Sequence, residues 1–148
     1  MSSLEGTARP GKTGLSLDAL AYIVLKARVF DAQAGVSDPD DGSNPADDRE
    51  VSILEGSADD ATAEELAAAI NELTEEAQIE LVALAWVGRG DFGGSEWPAA
   101  KRLARDRRRG STARYLIGMP QLGDYLEEGA AALGISLVSQ ESRLLDSP

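Results

Sequence analysis

The stretch Thr74–Val87, TEEAQIELVALAWV, decides the fold class. Thr74 is placed to cap a helix, and Glu75 and Glu76 fall in its first turn, where the helix dipole favours negative charge. From Ile79 the residues are apolar almost all round: Ile79, Leu81, Val82, Leu84, Ala85 and Trp86, with Glu80 the exception. A helix apolar on every side has to be enclosed by its neighbours. This one is predicted to be the central element of the core, ended by Gly88 and Gly90.

On the N-terminal side, Ser16 can cap a helix in which Leu20, Ile23, Val24, Ala27 and Phe30 recur at helical spacing, with Gly35 ending it. DPDDGSNPADD, Asp38–Asp48, has two prolines, a glycine and five aspartates, and reads as a surface loop. Asp47 and Glu50 are spaced as a capping box before Val51, Ile53 and Leu54. Thr62 and Glu65 form a clearer one, and Leu66, Ile70 and Leu73 follow on one face, which predicts a helix over about Ala63–Leu73.

On the C-terminal side, Asp91–Ser95 reads as a turn, with Ser95 capping a strongly basic helix that tolerates Pro98 in its first turn. Ser111 or Thr112 opens a short helix through Ile117, stopped by Gly118 and Pro120. Pro120 begins a further helix whose Leu122, Leu126, Ala130 and Leu133 form an apolar stripe, closed by Gly134. Ile135, Leu137 and Val138 are expected to pack back on the bundle.

No segment alternates in the manner of a strand, so the expected class is all-α. The short connections imply an irregular orthogonal bundle of about five to six helices around a central buried helix. The expected organisation is a polar leader over 1–14, one helical domain over 15–138 and a flexible tail over 139–148.

Composition narrows the chemistry. The 148 residues carry 26 Asp and Glu against 14 Lys and Arg, a formal charge of -12, which repels nucleic acid and anionic membranes at long range. The chain has no cysteine and no histidine. Disulfides, thiolate chemistry, histidine-ligated metals and Ser-His-Asp hydrolysis are thereby excluded, and a reducing, cytoplasmic setting is expected. Neither a secretory signal nor an apolar run of the roughly 20 residues that a spanning helix needs is visible.

Three stretches together, DPDDGSNPADD from Asp38, ELVALAWVGRGDF from Glu80 and TARYLIGMPQLGDYLEEG from Thr112, resemble a bacterial family catalogued as domain of unknown function 3775. The likeness runs from about Leu15 to Leu137. It implies a small bacterial helical protein and carries over no activity, cofactor or site residue.

Several local patterns suggest chemistry. GTARPGKT, Gly6–Thr13, satisfies the letters of a phosphate loop, but no strand leads into it and Pro10 has no N–H to offer a phosphate, so nucleotide binding is not expected. Arg89, Gly90 and Asp91 match an adhesion tripeptide, which a helix-ending turn explains. Asp38, Asp40, Asp41 and Asp48 are hard oxygen ligands of the kind calcium or magnesium accepts, yet their spacing departs from an EF-hand: with Gly42 at the turn, Ser37 and Pro39 fall on the first ligand positions. No cofactor is expected.

The sharpest asymmetry is basic. Lys101, Arg102, Arg105, Arg107, Arg108, Arg109 and Arg114 hold seven of the fourteen basic residues, so this segment is near about +6 and the remainder near about -18. Such a patch suits an acidic protein, nucleic acid or an acidic part of the same chain. On a helix Arg102, Arg105 and Arg109 share one face and Lys101 and Arg108 another, and a solvated or self-neutralised face is the simpler expectation.

Three functions compete on these grounds. The favoured one is a non-catalytic interaction protein that binds a protein partner or itself as a homodimer. Its expected contact surface is Arg102, Arg105, Arg107, Arg108 and Arg109 with Tyr115, Leu122, Tyr125 and Leu126, because amphipathic stems beside aromatics suit interfaces. The alternatives are a metal-dependent enzyme using Asp38, Asp40, Asp41 and Asp91 with Arg89, and a nucleic-acid binder built on the arginine run.

Overall fold

A computed structural model describes residues 15–35 and 60–146. Among these, the chain forms α1 (Leu17–Gly35), α2 (Asp60–Asn71), α3 (Glu75–Arg89), a 3-10 turn (Gly94–Glu96), α4 (Trp97–Asp106), α5 (Thr112–Ile117), α6 (Leu122–Ala132) and α7 (Val138–Asp146). The class is all-α, with seven α-helices among the described residues where five or six were expected. The polar leader with its phosphate-loop pattern, the aspartate-rich stretch and the Asp47–Glu50 box lie outside the described residues.

The central helix is α3. Ala77, Ile79, Leu81, Ala83, Leu84, Ala85, Trp86 and Val87 are all buried, and so are Gln78 and Glu80. Thr74 caps it as its position suggests, the hydroxyl accepting from the Ala77 N–H at 3.1 Å. Gly90 ends it at φ 101, a left-handed conformation in which its N–H reaches the Trp86 and Val87 carbonyls. Helix α6 lies along α3 most extensively, α4 covers a second side, and α5 touches a third.

The other helices complete this core. Ser16 caps α1 by accepting from the Ala19 N–H at 3.0 Å, and Leu20, Ile23, Val24, Ala27 and Phe30 are buried against α6 and α2. Helix α2 presents Ala63, Leu66 and Ile70 to the core and also rests on α5. Ser111 caps α5, its hydroxyl accepting from the Arg114 N–H at 3.1 Å.

Four boundaries differ from the sequence reading. Helix α2 starts at Asp60, which puts Thr62 inside its first turn; the alanine-rich run has enough helix propensity to extend upstream of the capping box. Ser95 caps nothing. A 3-10 turn occupies Gly94–Glu96, and the Glu96 carboxylate accepts from the Gly93 N–H at 2.6 Å before Trp97 and Pro98 open α4. Helix α6 begins at Leu122 and not at Pro120, because Gln121 adopts a left-handed φ of 64 that reverses the chain first.

The fourth difference is the end of the domain. Val138–Asp146, expected as mostly loose tail, forms α7 against α1, with Arg143 reaching Asp18 at 2.9 Å. Leu137 is buried and anchors the approach, whereas Val138, expected inside, is 62% exposed. No described helix is long and apolar enough to cross a membrane.

Candidate functional site

Within residues 101–109 the basic run divides into side chains paired with α3 and side chains that are not. Helix α4 packs alongside α3, which brings its last turns beside Glu75, Glu76 and Glu80. Lys101 is only 3% exposed; its ammonium lies 2.8 Å from Glu76 Oε2 and 3.4 Å from Glu80 Oε2, over the ring of Trp97. Arg105 donates to the other oxygen of Glu76 at 2.6 Å. Arg108 lies 3.5 Å from Glu75 and donates to Gln78 Oε1 at 2.8 Å, while the Gln78 amide donates in turn to the Ile70 and Leu73 carbonyls.

This arrangement follows from charge and burial together. Glu80 is fully buried on an otherwise apolar helix, and a buried carboxylate requires a cation. Lys101 supplies one, its ammonium held over the Trp97 ring. Hydrogen bonding from Lys101 holds the Glu76 carboxyl below the ordinary carboxylate range; burial opposes this and Arg105 reinforces it. The acidic start of α3 and the basic end of α4 also complement the two helix dipoles.

The side chains not paired with α3 are Arg102, Arg107 and Arg109. All are exposed, and the side chains of Arg102 and Arg107 have no partner among the described residues. Arg109 folds back over the end of α4, donating to the Asp106 and Arg108 carbonyls at 3.2 Å. Gly110, at φ 61, adopts a left-handed conformation just after this segment.

The expected aromatic partners fall elsewhere. Tyr115 is 45% exposed, and its hydroxyl accepts from the Trp86 indole N–H at 2.9 Å. Trp86 stacks on Phe92 with ring centroids 6.2 Å apart, and Arg89 pairs with Asp91 at 2.6 Å across Gly90. Asp91 is thereby engaged as an ion pair within the turn. Tyr125 is half-buried.

Two expected contact residues are corrected. Leu122 and Leu126 are 0% exposed and belong to the core, because the apolar stripe of α6 is used against α3 and α1. The same periodicity serves a core face and an interface face equally well, so spacing alone could not separate them. Asp38, Asp40, Asp41 and Asp48 lie outside the described residues, and among those described no group of three or more acidic residues is arranged to hold a metal ion.

Sequence reasoning missed Glu75, Glu76, Gln78 and Glu80 as the groups that neutralise the basic run. The available signal was Glu80 itself, a lone charge within an apolar helix, with Glu76 one turn before it on the same face.

Residues 63–135 match the family model described as Protein of unknown function (DUF3775). The matched span runs from α2 to α6 and leaves α1 and α7 outside. No curated protein and no solved structure matches the chain.

Proposed function

We propose that this is a non-catalytic interaction protein of the cytoplasm that holds an acidic segment of a protein partner on the exposed side chains of Arg102, Arg107 and Arg109. The observation that carries the reading is the division of the basic run: Lys101, Arg105 and Arg108 are consumed by α3, while Arg102 and Arg107 have no partner among the described residues. In a chain of charge -12, exposed cations within one short segment favour a local acidic contact. A long polyanion such as nucleic acid would meet the negative remainder of the surface.

Magnitude sets the kind of complex. Exposed ion pairs contribute about 0.2–1 kcal/mol each, so three give at most about a hundredfold in affinity. The contact is therefore weak, fast and salt-dependent, in the manner of a transient partner.

An NMR titration of the whole protein with a glutamate-rich peptide at low salt tests this. Amide shifts centred on Arg102, Arg107 and Arg109 are expected, suppressed by salt and lost when the three arginines are replaced by alanine. Absence of peptide-induced shifts at low salt would overturn the reading, and tighter binding of single-stranded DNA at the same arginines would replace the acidic protein with nucleic acid.

A further inference from the structure

The C-terminal helix α7 is joined to the bundle differently from the others. It has no fully buried side chain, and Val138 and Leu145 are 62% and 71% exposed, so little apolar burial holds it. Its link to α1 through Arg143 and Asp18 lies in solvent, where an ion pair is weak and screened. What α7 does carry inward is polar. Gln140 and Glu141 are half-buried, and Gln140 Oε1 and Glu141 Oε2 are shielded from water with no hydrogen-bond donor among the described residues.

The groups facing Glu141 do not compensate its charge. On α6, Glu127 lies beside it and is already paired with the Arg28 guanidinium; Asp124 takes the Nε of that same arginine at 3.2 Å. On α1, Arg28 is thus shared between two carboxylates, and Asp18 is taken by Arg143 of α7. Among the described residues one cation, Arg28, serves Asp124, Glu127 and Glu141, which leaves an excess of negative charge in a partly dry place.

We propose that Glu141 carries a proton which it donates to the Glu127 carboxylate, and that this proton is a clasp which docks α7 on the bundle when present and releases it when lost. A protonated Glu141 supplies the donor that the site lacks, its O–H given to the Glu127 carboxylate, and it removes the surplus charge at once. Ionised, the pair places two carboxylates against each other with one arginine among the described residues between three acids. The device is a pH-sensitive hinge at the end of the chain, independent of the exposed arginines.

Burial, then the neighbouring Glu127, hold the Glu141 carboxyl above the ordinary carboxylate range, with Arg28 opposing. The sign follows. A group whose docked pKa exceeds its released pKa favours docking below the released value, and that contribution disappears as pH rises through the docked value. Each pH unit between the two values changes the ratio of docked to released α7 by about tenfold.

The experiment follows the carboxyl carbon of Glu141 and the heteronuclear NOE of the α7 amides in the full chain, from about pH 4 to about pH 8, a range spanning a raised carboxyl. Glu141 is expected to titrate above an isolated glutamate, with order in α7 falling across the same midpoint while the α3 amides stay unchanged. Glu141→Gln should keep α7 ordered throughout, and Glu127→Gln should lower the Glu141 midpoint. The proposal is overturned if α7 order does not follow the Glu141 titration, if α3 loosens in step with α7, or if Glu141→Gln retains the parent's pH profile.

Discussion

Gly88 on α3 and Gly129 on α6 meet backbone to backbone. A Cβ on Gly129 would sit 2.2 Å from the Leu84 carbonyl oxygen and 3.3 Å from the Gly88 nitrogen, and one on Gly88 would sit 1.7 Å from the Tyr125 carbonyl oxygen. Main chain cannot swing aside as a side chain can. The central pairing of the fold therefore depends on two absent methyl groups, and α3 and α6 must separate if either is added.

Gly129→Ala is expected to destabilise the protein by about 3 kcal/mol, the upper end for overpacking a filled interior. Gly90→Ala is the control: nothing lies within 4 Å of its Cβ position, and only the left-handed φ of 101 is penalised, by about 1–2 kcal/mol. Urea unfolding with unchanged slope would give both values. Equal costs for the two variants would contradict the close approach of α3 and α6.

Lys101→Met leaves the fully buried Glu80 without its lysine and is expected to cost about 3–5 kcal/mol. The double variant Lys101→Met with Glu80→Leu removes the stranded charge as well, and should recover much of that loss. A double-mutant cycle in denaturant measures the coupling. A single variant as stable as the parent would show that Lys101 does not hold Glu80.

Acid should weaken the same end of the bundle through Glu76. Its folded pKa is depressed, so the stability it contributes is complete above the unfolded value near about 4.3 and is lost as pH falls through the folded value. Glu76→Gln is accordingly expected to lower the urea midpoint at neutral pH and to match the parent once both are acidified. A gap between them that is constant with pH would refute this linkage.

Tyr115→Phe removes the acceptor for the Trp86 indole N–H. Trp86 is 8% exposed while Tyr115 is 45% exposed, so water replaces only part of the bond and a loss of about 1 kcal/mol is expected. The indole proton resonance should move with it. An unshifted indole and unchanged stability together would mean that the bond is not formed in solution.

Much of the fold was legible because it rests on local rules. The buried character of α3 follows from its lack of a polar face, and Ser16, Thr74 and Ser111 cap helices because their hydroxyls reach back to main-chain N–H groups within one turn. Leu122 and Leu126 were legible as a stripe but not as core. Helical spacing identifies which residues share a face and is silent on what that face meets. Gln121 was not legible at all, since a left-handed glutamine is a concession to the turn around it.

The amino-acid order by itself determined that this chain is helical, that Thr74–Val87 is enclosed, and that histidine and cysteine chemistry is closed to it. Only the tertiary structure decided which cations are spent: Lys101, Arg105 and Arg108 meet polar side chains of α3 that are 21, 29 and 30 residues distant, whereas Arg102 and Arg107 have no partner among the described residues. The reason is physical. Periodicity and capping act within a turn or two of helix, but neutralising a charge depends on what distant segment is brought within a few ångströms of it, and that is settled only when the helices pack.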